Sequence, residues 1–268
     1  MRRALSIGAL ALFVVAALAP LVWCVYASLV PEAALFSAVG PRTLSTESYR
    51  TVLFERAFAR AIASSLIVAL MTTSLAIVLA APCAYALARL RMRGKTVVLG
   101  VVLAVSMFPQ ISIVGPLFLV LKSIGLIDTR PGLVLPYVTF ALPLAVWLLT
   151  SFFKELPSEL EEAARVDGAK TFRILTEIIL PLSLPGLATT AIFTFVYCWN
   201  ELVFALSFTV SPELRTVPVA ITMLRGQHQV PWSQILAASA MATAPVALLV
   251  LVAQRYIVKG LVAGAVKG

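Results

Sequence analysis

The chain has 268 residues, 61 % of them hydrophobic and only 12 % charged, and 21 Lys and Arg against 12 Asp and Glu give a net charge of +9. A soluble domain carries about 25 % charged residues, so this composition argues against one, and the basic excess is no nucleic-acid footprint because that needs a basic soluble surface. One His and three Cys at unrelated spacings leave almost no material for His-based catalysis, a metal centre or a disulfide framework.

Uncharged apolar runs cover residues 4–31, 61–88, 96–121, 131–153, 178–200 and 229–254. Each reaches the roughly 20 residues a membrane-crossing helix needs. The expectation is an all-α integral membrane protein, with six transmembrane helices forming one domain over 1–268. Arg2 and Arg3 followed by Ala17-Leu18-Ala19 have the look of a cleaved signal. The apolar run continues through Leu21, Val22, Trp23 and Tyr26, so a retained first helix is expected instead. In the loop that follows, 35–39 and 49–58 are expected to include a short surface helix.

Between the second and third runs lies RLRMRGK, residues 89–95, with four positive charges and no acid. By the positive-inside rule this loop is cytoplasmic. Both termini and the loop near Glu162 then share its side, while 31–60 and 208–228 lie outside. Pro82, Pro109, Pro116, Pro136, Pro143, Pro185 and Pro245 fall inside the runs, where they free backbone carbonyls and permit kinks.

A polar, helix-forming island separates the fourth and fifth runs. Ser158 and Glu161 have capping-box spacing, which predicts a helix from Glu159 that stops at Gly168. Leu160, Ala163, Ala164 and Asp167 would share one face, with Glu159, Glu162 and Arg165 largely on the other. A face of small residues admits another protein's backbone, and the charges set its orientation. Thr171 is a possible N-cap for a second amphipathic stretch, with Ile174, Leu175, Ile178 and Ile179 on its apolar side. Pro181 is expected to end it.

Near the end of the fifth run comes Tyr197-Cys198-Trp199-Asn200-Glu201. An acidic side chain in an apolar span is by default a functional candidate. Glu201 nevertheless lies roughly 27 Å along a helix axis from Ser183, which puts it near the outer interface.

Glu162, Ala163, Ala164, Gly168, Ile178, Leu180 and Pro181 fit the pattern E-A-A, three residues, G, nine residues, I-x-L-P. That pattern resembles the EAA loop of membrane permease subunits in ATP-binding-cassette (ABC) importers. Residues 107–137 and 141–169 resemble the carbohydrate-uptake class, and the tail KGLVAGAVKG, 259–268, resembles that of the MalG-type maltose permeases. The pattern as a whole is also similar to the trehalose permeases of actinobacteria.

The resemblance implies a type I ABC importer permease fold in a bacterial cytoplasmic membrane. It implies that loop 154–182 is the coupling loop: Glu162, Ala163 and Ala164 would meet a separate ATPase, Gly168 would supply the turn and Asp167 would reinforce it. The tail, 255–268, would reach into the ATPase interface. Partners would be a second homologous permease, two copies of the ATPase and an extracytoplasmic sugar-binding lipoprotein, with lipid around the spans. Asn200 and Glu201, with Trp199 and Tyr197, would line the substrate pathway or an outer gate; the two aromatics could equally form an interfacial belt.

The cargo would be a sugar, a disaccharide such as trehalose or maltose. The chain has no G-x-x-x-x-G-K-[ST] phosphate loop. It would therefore be non-catalytic, binding no cofactor or metal, with ATP and Mg on the partner. An importer for another solute class shares the coupling loop, but the flanking sequence and the tail argue against it. A secondary transporter would need ionisable residues deep in the membrane, usually in paired repeats, and Glu201 is the sole acidic candidate.

Overall fold

The computed structural model describes residues 2–37, 43–226 and 230–265, with side chains from 6 to 254. Val39, Arg42, His228, and the side chains of Arg2, Arg3 and the tail from 255 onward lie outside the described residues. In chain order the helices are α1 (Arg2–Ser28), α2 (Glu32–Leu35), α3 (Glu47–Arg50), α4 (Phe58–Arg89), α5 (Lys95–Ser106), α6 (Gln110–Ser123) and α7 (Arg130–Glu155). They continue as α8 (Glu159–Val166), α9 (Thr171–Ile174), α10 (Leu180–Leu182), α11 (Leu184–Trp199), α12 (Val203–Phe208), α13 (Val217–Thr222) and α14 (Trp232–Ala265). Thr51–Glu55 and Leu175–Ile179 are π-helical, and the described residues include no strand.

Among the described residues four helices are long and apolar enough to cross a membrane: Ser6–Ser28 within α1, α4, α7 and Trp232–Gln254 within α14. The third and fifth expected spans are broken rather than straight. Between α5 and α6 the axis turns by 86°, and between the Thr171–Leu182 stretch and α11 by 80°. With each bent pair taken as one span, the total is six. Proline accounts for both breaks. Pro109 sits in extended backbone ahead of α6, lacks an N–H and disfavours helix in the residue before it. Pro181 and Pro185 flank Ser183, whose φ −91° and ψ 11° interrupt the helix. The amphipathic stretch therefore ends at Leu182, just after Pro181. Pro82, Pro116, Pro136, Pro143 and Pro245 stay inside their helices.

The chain forms two compact units, residues 1–63 with 217–247 and residues 64–216 with 248–268. In the first, α2 ends at Leu35, where the expected 35–39 stretch begins, and α3 with the π-helical Thr51–Glu55 covers the start of the expected 49–58 stretch. Glu32 accepts hydrogen bonds from the backbone N–H groups of Trp232, at 3.0 Å, and Ser233, at 2.8 Å. It thereby satisfies orphan donors at the start of α14. The Ser233 hydroxyl donates to the Val30 carbonyl at 2.9 Å, and Ser28 pairs with the Tyr49 hydroxyl at 2.6 Å. Along α1, Leu10, Leu12, Phe13, Val15, Val22 and Trp23 all face outward. Such a helix has the length and apolar surface of a membrane span rather than of a core helix.

In the second unit α7 is the central helix. It packs against both α5 and α11 and buries Leu133, Tyr137, Phe140, Val146, Leu149 and Phe153. Its start is capped by Thr129, whose hydroxyl accepts from Gly132 N–H at 3.1 Å. A Cβ on Gly186 of α11 would sit 2.5 Å from the Phe152 ring, so glycine there lets the two helices approach closely.

Candidate coupling site and gate

Loop 154–182 is built onto the ends of α4 and α7. Tyr85 and Leu87 of α4, Val146, Leu149 and Phe153 of α7, and Ala164, Ile174, Leu175 and Ile179 of the loop form one buried cluster. Ile178 is partly buried against it, so the apolar side predicted for the second stretch is the one that packs.

The first helix of the loop, α8, begins at Glu159 as expected, but not by a capping box. Ser158 has helical backbone and its side chain makes no cap hydrogen bond. Glu161 turns inward instead and is only 4 % exposed. Its carboxylate lies 3.0 Å from Arg89 Nε and 3.6 Å from Arg165 Nη2, and it accepts a hydrogen bond from the Tyr85 hydroxyl at 3.0 Å. Arg89 also donates to the Leu156 carbonyl. Two cations and a hydroxyl outcompete the neutral backbone donor a capping box would offer, because charge-assisted bonds are roughly twice as strong.

The end of α8 is a Schellman turn. Gly168 has φ +81°, its N–H donates to Arg165 O at 3.0 Å, and Ala169 N–H donates to Ala164 O at 2.9 Å. Only glycine takes that conformation without cost, which explains why the motif places Gly at this distance from Glu162. Asp167 is the C-cap residue.

The predicted face of Leu160, Ala163, Ala164 and Asp167 does not exist as one surface. Ala164 is buried in the cluster, whereas Leu160, Ala163 and Asp167 are exposed together with Glu159, Glu162 and Arg165. The buried stripe is Glu161 and Ala164, three residues apart. Val166 is 88 % exposed and Phe172, at the start of α9, 76 %. Arg89 and Tyr85 went unread in the sequence: Arg89 counted only as one of the loop's positive charges, and its lone signal was its place directly after the second apolar run.

At the other candidate site, Tyr197 and Trp199 lie in the last turn of α11, and Asn200 is its C-cap. The Asn200 amide donates to Val196 O at 2.7 Å. Trp199 is 3 % exposed and stacks on Phe195 with centroids 5.7 Å apart, so its ring is spent on packing. Tyr197 is half-buried, its hydroxyl bonded to the Gln110 side chain at the start of α6. Glu201 is buried. Its carboxylate accepts the backbone N–H groups of Phe204, at 2.8 Å, and Ala205, at 3.2 Å, and so caps α12. Asn200 alone of the four is exposed.

Asp128, which sequence reading passed over, closes a clamp beside α12. Its backbone N–H donates to Phe208 O at 2.8 Å. Its carboxylate accepts the N–H groups of Val210 at 2.8 Å and Ser211 at 3.0 Å, and also the Ser211 hydroxyl. The Ser211 hydroxyl, joined by these amides and opposed by desolvation, holds the carboxyl below its usual range.

A family described as the binding-protein-dependent transport system inner membrane component matches residues 76–262. The chain belongs to this family. It is 44 % identical over 255 residues to the trehalose transport system permease protein SugB of Mycobacterium tuberculosis, covering 94 % of this chain and 93 % of that one. It is 40 % identical over 271 residues to the trehalose/maltose transport system permease protein MalG of Thermococcus litoralis, covering 100 % and 97 %. Among solved structures, a bacterial ABC transporter involved in the import of the acidic polysaccharide alginate superposes with a TM-score of 0.78 over 94 % of this chain and 95 % of that one. At 24 % identity that likeness speaks for the fold. The inner-membrane permease is thus all-α, multi-pass and of the type I ABC importer fold expected from its sequence.

Proposed function

We propose that this chain is the permease subunit of an ATP-driven importer for a sugar, a disaccharide such as trehalose or maltose, and forms half of the translocation pathway. The near-full-length identity to permeases named for trehalose and trehalose/maltose transport carries the substrate class. The chain acts as a single permease domain, 1–268, and is non-catalytic. Two copies of a separate ATPase hold ATP and Mg, a second homologous permease completes the pathway, and an extracytoplasmic lipoprotein delivers the sugar. Both termini lie on the cytoplasmic side with the RLRMRGK loop.

Within that assembly α8 is the coupling helix. Its exposed side, with Glu162, Ala163 and Asp167, meets the ATPase, and the Gly168 turn fixes the angle at which it is presented. Ala164 serves from beneath, seating the helix on the core. Closure of the ATPase pair on ATP pushes α8 and rocks the spans from inward- to outward-facing. Asn200 and Glu201, with Tyr197 and Trp199, form the outer gate, where the exposed Asn200 amide is the group placed to meet a sugar hydroxyl and the other three shape the turn that carries it.

The test is purification of the tagged, gently solubilised chain from its native membrane, with identification of what accompanies it. Recovery of an ATPase, a second permease and a sugar-binding lipoprotein, with ATP-dependent disaccharide uptake after reconstitution, is the expected result. Recovery of the chain alone, with sugar uptake intact in cells lacking the ATPase, would refute the reading.

A further inference from the structure

We propose that Glu161 and Arg89 form a positioning strut that carries displacement of α8 into the membrane helices, a role that rests on the coupling reading above. Three elements meet at one guanidinium. Arg89 is the last residue of the 32-residue helix α4. It lies 3.0 Å from the Glu161 carboxylate on α8 and donates to the carbonyl of Leu156, the C-cap of α7. Tyr85, one turn earlier on α4, donates its hydroxyl to the same carboxylate at 3.0 Å.

Stability does not explain such a cluster. Well-packed apolar residues of similar volume often replace a buried ion pair without loss, and the surrounding cluster is already apolar. What the cluster adds is direction: hydrogen bonds tie Tyr85 to Glu161 and Arg89 to Leu156, and the opposed charges of Arg89 Nε and Glu161, 3.0 Å apart though not aligned as a hydrogen bond, favour one register. The remaining attachments of α8 are softer. Glu159, Leu160, Glu162, Ala163, Arg165 and Val166 are exposed, and among the residues of α8 only Ala164 joins Glu161 in burial. Downstream, the chain passes through the Gly168 turn and the π-helical Leu175–Ile179 stretch before it reaches α11. The path from α8 to the end of α4 runs through the Arg89 contact beside the packing of Ala164, while residues 156–158 join α8 to α7 along the chain. Glu161 faces the protein interior while its neighbours on α8 face outward.

The test compares the reconstituted complex with its Glu161→Gln variant in proteoliposomes, measuring both ATP hydrolysed and disaccharide imported. In Glu161→Gln the complex should assemble and hydrolyse ATP, while sugar imported per ATP falls roughly tenfold, within the range found when a coupling element is perturbed. The charge exchange Arg89→Glu with Glu161→Arg should recover part of that ratio. Tyr85→Phe, which deletes one hydroxyl and leaves the ion pair, should lower it less. A normal ratio in both Glu161→Gln and Tyr85→Phe would overturn the strut. So would fewer intact complexes working at the normal ratio, because that is the signature of a merely structural pair. A wild-type complex that hydrolyses ATP but imports no disaccharide would overturn the importer reading itself, and the strut with it.

Discussion

Glu161 and Glu162 are neighbours in sequence with different surroundings: Glu161 is buried against Arg89, and Glu162 is exposed on α8. Their substitutions should separate cleanly. Glu161→Ala leaves a buried guanidinium short of its partner and should cost about 3 kcal/mol of stability in detergent. Glu162→Ala touches no buried group, so the melting temperature should not move while ATPase docking weakens. Thermal melts of both variants, alongside co-purification of the ATPase, check the pair.

Gly168 holds φ +81° at the end of α8. A non-glycine residue there costs about 1–2 kcal/mol, and Asn pays least because it tolerates the left-handed region. Gly168→Asp, which adds a charge beside Asp167 as well as strain, should abolish import and leave membrane insertion intact. Gly168→Val should be as damaging, and Gly168→Asn should retain measurable uptake. Sugar uptake by cells with matched membrane levels of the three variants gives the ranking, and normal uptake by Gly168→Asp would sink the coupling assignment.

Asp128 has a carboxyl held below its ordinary range, chiefly by the Ser211 hydroxyl. A group depressed in the folded state contributes stability above its unfolded value, about 3.9, and loses it as pH falls through the folded value. The difference in melting temperature between the protein and Asp128→Asn should therefore be constant from pH 7 to about 5 and shrink below about 4. At neutral pH Asp128→Asn should lose on the order of 1 kcal/mol, one charge-assisted hydrogen bond at a partly exposed site. A gap that widens on acidification would contradict the clamp.

Glu201 serves the backbone of α12 through two hydrogen bonds. Glu201→Gln keeps one acceptor oxygen for the two N–H groups and should lose less stability than Glu201→Ala. Glu201→Ala leaves two buried N–H groups unmet and should cost about 1–3 kcal/mol. Uptake kinetics then resolve the gate: a raised KM for the sugar in Glu201→Gln, at matched membrane levels of the folded protein, supports a place on the pathway. An unchanged KM would confine Glu201 to capping.

The six apolar runs and the E-A-A spacing made the architecture legible, because long apolar stretches and a left-handed glycine each have few structural solutions. Side-chain direction within α8 was less legible. Ser158 and Glu161 satisfy capping-box spacing, yet the contest for Glu161 was decided by Arg89 and Tyr85, more than 70 positions away in sequence. Ala163 and Ala164 look equivalent as letters, and only the cluster formed with α4, α7 and the second stretch of the loop distinguishes the buried one. Likewise Pro109 and Pro181 permit kinks in any membrane helix, and that they break these two runs by 86° and 80°, while five other prolines stay inside their helices, shows only in the structure. Trp199 reads as an interfacial ring until Phe195 is seen stacked on it.

Leu160, Val166 and Phe172 leave large apolar side chains uncovered on and beside α8, on the side proposed to face the cytoplasm. In the proposed importer the ATPase would cover them. A copy made in excess has nothing to lay over them, and uncovered apolar surface is what cellular quality control clears. The abundance of this subunit should accordingly follow that of its ATPase rather than its own rate of synthesis: surplus chains are short-lived, and the matched ones persist.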